Sequence, residues 1–113
     1  MNEYLNIKTN YGELYIRFDS INSIECLSNV ILISFGNKIK KIETSLEEME
    51  RIVTEVSRNV NKYVKSRLML YVLDNVISIE TTPDCIKLIW KDGSTSSNIP
   101  INMFDRIKSE LSS

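Results

Sequence analysis

The sequence has 113 residues, the length of one domain of ordinary size or of two sub-domains that are each too small for a comfortable core. Hydrophobic residues make up 42% of the chain and charged residues 26%, which excludes an intrinsically disordered protein. With 14 basic and 15 acidic residues the formal net charge is −1, so the chain lacks the general basic field of a non-specific nucleic-acid binder.

Short strands separated by turns are predicted in the first part of the chain. The turns are Asn10-Tyr11-Gly12, Leu27-Ser28-Asn29 and Gly36-Asn37, in which glycine can supply a positive φ. The strands they separate are residues 7–9, 13–17, 23–26, 30–35 and 38–42. The last of these strands is rich in lysine, which indicates the edge of a sheet, where charge prevents pairing with another chain.

A helix is predicted to begin after Ser45. Ser45 and Glu48 have the spacing of a capping box, in which each side chain bonds a backbone amide near the other residue. Apolar residues then recur at helical spacing, at Leu46, Met49, Ile52, Val53, Val56 and Val60. We expect this helix to continue into the segment 57–67, which links the two halves of the chain.

The second half shows the same kind of pattern. Its predicted strands are residues 68–72, 76–81, 85–90 and 95–99, and its turns are Pro83-Asp84 and Asp92-Gly93. A shorter closing helix is predicted after Pro100, with a buried stripe of Ile101, Phe104, Ile107 and Leu111.

The two halves can be aligned without a gap. When the sequence is shifted against itself, residues 18–25 fall on residues 73–80 with identical Asp, Ser, Ile and Glu in register. We therefore predict an α+β fold, a single domain over 1–113 made of two tandem copies, about 4–60 and 61–113. Each copy is an antiparallel β-hairpin/strand unit followed by a helix. The copies should pack with pseudo-two-fold symmetry, and their helices should cover a common face.

The second half resembles a known family. Residues 76–84, the turn Asp92-Gly93 and the helix from Phe104 to Leu111 are similar to the small FlbD (SwrD) proteins found with bacterial flagellar genes. This resemblance implies a small protein without an active site. The order of strands and helix is also similar to pleckstrin-homology-like barrels, and a strand that ends in Ile-Glu before a hairpin is similar to LytTR-type DNA-binding domains.

No set of residues in the sequence predicts a catalytic or metal centre. The absence of histidine excludes Ser-His-Asp and Cys-His catalysis, and Cys26 and Cys85 are too far apart for a Cys-x-x-Cys pair. Both cysteines are expected to be reduced and half-buried. Glu25 and Glu80 fall on equivalent positions, but each follows an isoleucine on an alternating strand and should face solvent. We therefore expect no enzyme and no cofactor.

Basic residues concentrate at two places in the sequence. Lys38, Lys40 and Lys41 lie in the predicted edge strand, while the linking segment carries Arg58, Lys62, Lys65 and Arg67. If the two groups converged, they could steer a phosphate backbone. The plainer interpretation is a solvated surface.

Aromatic residues are expected mostly in the core. Trp90 and Tyr11 are among them. Trp90 would anchor a protein partner if one of its faces were open.

These patterns lead to one main functional prediction and two alternatives. We predict a non-enzymatic protein–protein interaction module, of the kind found as accessory or regulatory proteins of phages or mobile elements, with a second copy of itself as one possible partner. The alternatives are a nucleic-acid-binding transcriptional regulator and, third, a small-ligand binder. Because the sequence shows neither a signal peptide nor a long apolar run, we expect a cytoplasmic protein with no membrane partner.

Overall fold

Alternating apolar residues between turns give residues 3–113 of this chain ten β-strands. The computed structural model describes residues 3–113, so the first two residues of the predicted domain lie outside the described part. The described strands are β1 Tyr4–Thr9, β2 Gly12–Arg17, β3 Ile21–Cys26, β4 Val30–Phe35, β5 Lys38–Glu43, β6 Tyr63–Lys65, β7 Met69–Val72, β8 Val76–Thr81, β9 Cys85–Trp90 and β10 Ile99–Pro100. The helices are α1 Leu46–Asn59 and α2 Phe104–Ser112, and short 3₁₀ turns occupy Phe18–Ser20 and Ile101–Met103.

Antiparallel pairing sorts the strands into three sheets. β1 and β2 form a two-stranded ribbon, β5-β4-β3-β7-β6 form a five-stranded sheet, and β10-β9-β8 form a three-stranded sheet. At the centre of the five-stranded sheet, Ile24 of β3 lies opposite Ile33 of β4 and Leu70 of β7. Strands from both halves of the sequence therefore share one sheet.

Side-chain alternation along β7 divides the interior into two hydrophobic cores. Leu70 and Val72 face the first core, which includes the ribbon and α1, whereas Tyr71 faces the second core, which includes the three-stranded sheet and α2. The first core also contains Leu5, Ile7, Ile16, Ile24, Ile31, Ile33, Met49, Ile52 and Val56. The second contains Val64, Ile86, Leu88, Trp90, Ile99, Met103 and Ile107. The two helices thus lie on opposite sides of β7.

The start of α1 confirms half of the predicted capping box. The Ser45 hydroxyl accepts a hydrogen bond from the Glu48 amide at 3.1 Å. The Glu48 carboxylate does not return to Ser45. It accepts instead from Arg51, at 2.6 Å from Nε and 2.9 Å from Nη2.

The helix extends only three residues into the predicted linking segment. It ends at Asn59, and the short strand β6 follows within the same segment. The Asp74 carboxylate accepts hydrogen bonds from the backbone amides of Asn61 at 3.0 Å and Lys62 at 2.7 Å. These bonds hold the backbone in an extended path and lead it into β6.

The predicted fold class is wrong. The chain is mostly β and is not two repeated hairpin–helix units with pseudo-two-fold symmetry, because β6 and β7 of the predicted second copy extend the sheet of the first. The helices do not cover a common face either, since neighbouring residues of β7 point into different cores. Within residues 3–113, no helix is long and apolar enough to cross a membrane.

Candidate nucleic-acid interface

The three predicted lysines of the edge strand lie on an edge. β5 pairs only with β4, and Lys38, Lys40 and Lys41 are all exposed along it. Lysine at this position blocks further strand pairing and leaves the ammonium groups free for ligands. The sequence prediction of an edge strand is therefore confirmed.

The basic residues of the linking segment lie toward the edge of the five-stranded sheet that is opposite β5. Lys62 directly precedes β6, at the opposite edge of the five-stranded sheet, which is about 19 Å from β5 at the usual strand spacing. The ammonium group of Lys62 donates to the Leu111 carbonyl at 3.2 Å, so it serves to hold α2. Arg58 is exposed near the end of α1, which leads to the same edge as Lys62. Arg58 and Lys62 therefore do not join the lysines of the edge strand.

Trp90 lies inside the second core. Its side chain is 2% exposed, and the indole Nε1–H donates to the Val72 carbonyl at 2.8 Å. Trp90 therefore has no open face, which it would need in order to anchor a protein partner. The indole instead ties the three-stranded sheet to the end of β7.

The structure brings four loops together at one end of the five-stranded sheet, which we call the loop end. It consists of the turns 9–12, 27–29, 43–45 and 66–68. The Thr44 amide donates to the Asn29 carbonyl at 3.0 Å, and the Cys26 amide donates to the Leu68 carbonyl at 2.8 Å. A groove of about 680 Å³ separates the ribbon turn from β5 and is lined by residues 8–11 and 40–44.

Positive charge concentrates around this end. We define the basic rim as the exposed residues Lys8, Lys40, Lys41, Lys65 and Arg67. Acidic residues lie near these cations as well: Glu13 is opposite Lys8 in the ribbon, Glu43 ends β5, and Glu25 lies in β3, between β5 and β6. The two ion pairs found among the described residues join Arg17 to Asp19 and Arg51 to Glu48, and neither uses a cation of the rim.

The start of α1 sets the border of the basic rim. The helix follows directly on β5 and carries Glu47, Glu48 and Glu50 in its first half. A hydrogen bond from Arg51 lowers the pKa of Glu48 and holds its charge in an ion pair. A polyanion on the rim would therefore turn away from the face of α1.

At the end of the five-stranded sheet opposite the loop end, the carboxylate of Asp92 is held by hydrogen bonds. Asp92 accepts from the Asn22 amide at 2.8 Å and from the Ser94 backbone amide at 2.9 Å. Burial opposes ionisation of Asp92, but the hydrogen bonds from Ser94 and Asn22 together lower its pKa. The Asn75 amide also donates to the Asp19 carbonyl at 2.8 Å. Because a carboxylate repels a phosphate, Asp92 makes this end of the sheet a poorer surface for nucleic acid than the loop end.

The other sequence candidates do not assemble into a site. Glu25 lies in the five-stranded sheet and Glu80 in the three-stranded sheet, so the two carboxylates form no symmetric pair. Cys26 and Cys85 are free and half-buried, as predicted. Among the residues that the structure describes, no three metal-binding side chains of the His, Cys, Asp or Glu type come together.

Sequence reasoning missed Lys8 and Tyr11 as part of this surface. Both lie in the ribbon, more than 25 positions before β5, and only the packing of the ribbon on the first core brings them to the groove. Tyr11, expected mostly in the core, is fully exposed at the tip of the ribbon. The sequence feature that could have placed them there is the two-residue turn between the strands, because the tip of such a hairpin projects from a sheet.

The architecture has a counterpart among solved structures. The chain superimposes on the LytTr DNA-binding domain of a methyl-accepting/DNA response regulator from Bacillus cereus with a TM-score of 0.66 and 13% sequence identity, over 98% of both chains. At this identity the likeness shows the shared fold. No family model matches the sequence, and no curated protein matches it either. The resemblance to FlbD (SwrD) and pleckstrin-homology-like proteins stays a prediction.

Proposed function

We propose that this protein binds double-stranded DNA through the basic rim and acts as a DNA-binding regulator. The observation that carries the proposal is that five exposed, unpaired cations lie around one end of the five-stranded sheet, on the ribbon, β5, β6 and the turn after β6. The fold supports it, because the structural neighbour is described as a DNA-binding domain and matches the whole length of the chain.

This comparison overturns the main functional prediction from the sequence. The prediction of a protein–protein interaction module built on an internal repeat is wrong. The ranking that put a protein partner ahead of nucleic acid is wrong as well. The first alternative, a nucleic-acid-binding regulator, takes its place. We keep the absence of enzyme activity as part of the proposal, together with a cytoplasmic location, where a bacterial-type protein meets DNA.

Each side chain of the rim has a chemical role in this proposal. The four lysines are compact point charges that neutralise phosphates, and the guanidinium of Arg67, on the turn after β6, suits bidentate contact with one phosphate. Such contacts fix the position of the protein on the duplex without reading its sequence. Asn10 and Asn29, exposed at neighbouring loop tips, offer amide groups that can hydrogen-bond base edges.

The proposal predicts a steep dependence on salt. Each neutralised phosphate contributes about −0.9 to the slope of log K against log salt, so five contacts give a slope of about −4.5. A fourfold rise in salt should therefore weaken binding by about 500-fold. A protein whose rim is only a solvated surface would show no duplex binding at any salt.

The test is a fluorescence-anisotropy titration of a labelled duplex at several salt concentrations. The double variant Lys40→Gln, Lys41→Gln removes two contacts and should reduce the slope to about −2.7. The matched control is Lys87→Gln, Lys108→Gln, which removes the same charge from exposed residues of β9 and α2. The proposal fails if the unmodified protein binds no duplex at low salt, or if the control variant loses as much of the slope as the rim variant.

A further inference from the structure

The tip of the ribbon presents a fully exposed aromatic ring on a fixed turn. Tyr11 is 100% exposed, whereas an aromatic side chain without a function normally buries much of its surface. Its amide donates to the Thr9 hydroxyl oxygen at 3.2 Å, and the same hydroxyl donates to the Gly12 carbonyl at 3.1 Å. Gly12 completes the turn with a φ of 138°. The turn is therefore ordered while its side chains remain free.

The ribbon has the dimensions of an element that enters a DNA groove. Within residues 3–113, β1 and β2 pair only with each other, over six residues each, and no third described strand widens the tip. Their inward residues Leu5, Ile7 and Ile16 anchor the base of the ribbon in the first core. The major groove of B-DNA is about 12 Å wide and admits a two-stranded β-ribbon, whereas the minor groove of an undistorted duplex is only about 6 Å wide.

The groove beside the tip determines where a phosphate strand would run. Lys8 lines it from the ribbon side, and Lys40 and Lys41 line it from β5. A sugar-phosphate strand seated there would pass directly beside Asn10 and Tyr11, which line the same groove. The base edges in the DNA groove next to that strand would then face the turn of the ribbon.

We propose that the ribbon tip enters the major groove and reads base edges with Asn10 and Tyr11, while Lys8, Lys40 and Lys41 hold the phosphates of the flanking strand. This inference rests on the proposed function and adds to it the element that selects sequence. The side-chain amide of asparagine matches the N6 and N7 atoms of adenine, and an apolar ring surface matches the thymine methyl group. The preferred duplex therefore carries A·T pairs where the tip enters.

The test is selection from a pool of duplexes with a randomised central segment, followed by anisotropy measurements on the selected duplex. The unmodified protein should enrich a motif that contains A·T pairs. Tyr11→Ser and Asn10→Ser should lose the preference at those pairs and bind the selected duplex about 10-fold more weakly, because one good base contact is worth about a factor of ten. Because neither residue is charged, the salt slope of both variants should equal that of the unmodified protein.

Tyr15→Ser is the matched control for this test. Tyr15 is another exposed tyrosine of the ribbon, at 59%, but it lies along β2 and lines the groove between the ribbon and α1, with Lys8, Glu48 and Glu55. It should select the same motif as the unmodified protein. Circular dichroism of each variant checks that the fold is intact. We expect it to be intact, because these exposed side chains do not stabilise the fold.

Three results would overturn the inference while leaving the proposed function in place. Tyr11→Ser could select the same motif as the unmodified protein, Tyr15→Ser could lose it equally, or the effect of Tyr11 could appear only on single-stranded DNA, where an aromatic ring stacks on unpaired bases. Failure of the proposed function looks different, because the unmodified protein would then bind no duplex in a salt-dependent manner.

Discussion

Replacing Trp90 with phenylalanine should destabilise the protein strongly and leave its DNA contacts intact. The hydrogen-bond ladder between β3 and β7 ends at Ser23 and Tyr71, and the next carbonyl, that of Val72, accepts from the Trp90 indole at 2.8 Å. Phenylalanine has no donor, so the carbonyl loses this partner inside the core, at a cost of about 1–3 kcal/mol. The smaller ring also leaves a void beside a side chain that is only 2% exposed, which adds about 1 kcal/mol.

Together these effects lower the free energy of unfolding by about 3 kcal/mol, which corresponds to a fall in Tm of about 12 °C for a chain of this length. The assay is urea and thermal unfolding followed by far-ultraviolet circular dichroism, since Trp90 is the single tryptophan and its fluorescence disappears in the variant. Ile77→Thr is the control in the same sheet. Ile77 is 65% exposed and should lose less than about 0.5 kcal/mol. A loss below about 1 kcal/mol for Trp90→Phe, or a loss of duplex binding by the folded variant, would refute the assignment of Trp90 to the core.

Two further predictions concern the helix cap and the polar cluster at the far end of the sheet. Ser45→Ala removes the acceptor of the Glu48 amide and should lower the free energy of unfolding by about 1 kcal/mol in urea titrations, an effect that Ser45→Asp should largely restore. Asn22→Ala removes one of the hydrogen bonds that lower the pKa of Asp92. Because the pKa of Asp92 is lower in the folded than in the unfolded state, its stabilisation is present above the unfolded pKa and is lost as the pH falls through the folded pKa. The urea midpoints of the unmodified protein and Asn22→Ala should therefore differ at neutral pH and approach each other in acid, and a difference that stays constant with pH would contradict this account.

Local features of the fold could be predicted from the sequence because they depend on neighbouring residues. The strands at residues 76–81 and 85–90 lie where alternation and turn residues place them. The cap at Ser45 forms because its hydroxyl needs only the first turn of the helix. The turns at Gly36 and Gly93 contain glycines with φ of 52° and 90°, values that other residues rarely adopt.

Strand order could not be predicted because alternation specifies the face of a strand and not its neighbour. Residues 18–25 and 73–80 share a pattern, and the pattern is compatible with two separate units or with one continuous sheet. The decisive element is β7, whose residues Leu70, Tyr71 and Val72 are all buried because both of its faces are covered. β6 is only three residues long, too short for a periodic signal.

Four of the five cations of the basic rim already stood out in the sequence, yet nucleic-acid binding ranked second there, because net charge describes the whole chain whereas binding is local. At physiological ionic strength the Debye length is about 8 Å, so a phosphate on the rim responds to the nearest charges and little to the rest. A formal charge of −1 therefore argues against non-specific attraction over the whole surface and does not exclude a focused site. It follows that duplex binding should be confined to one orientation, with the loop end toward the phosphates and the glutamates at the start of α1 turned away from them.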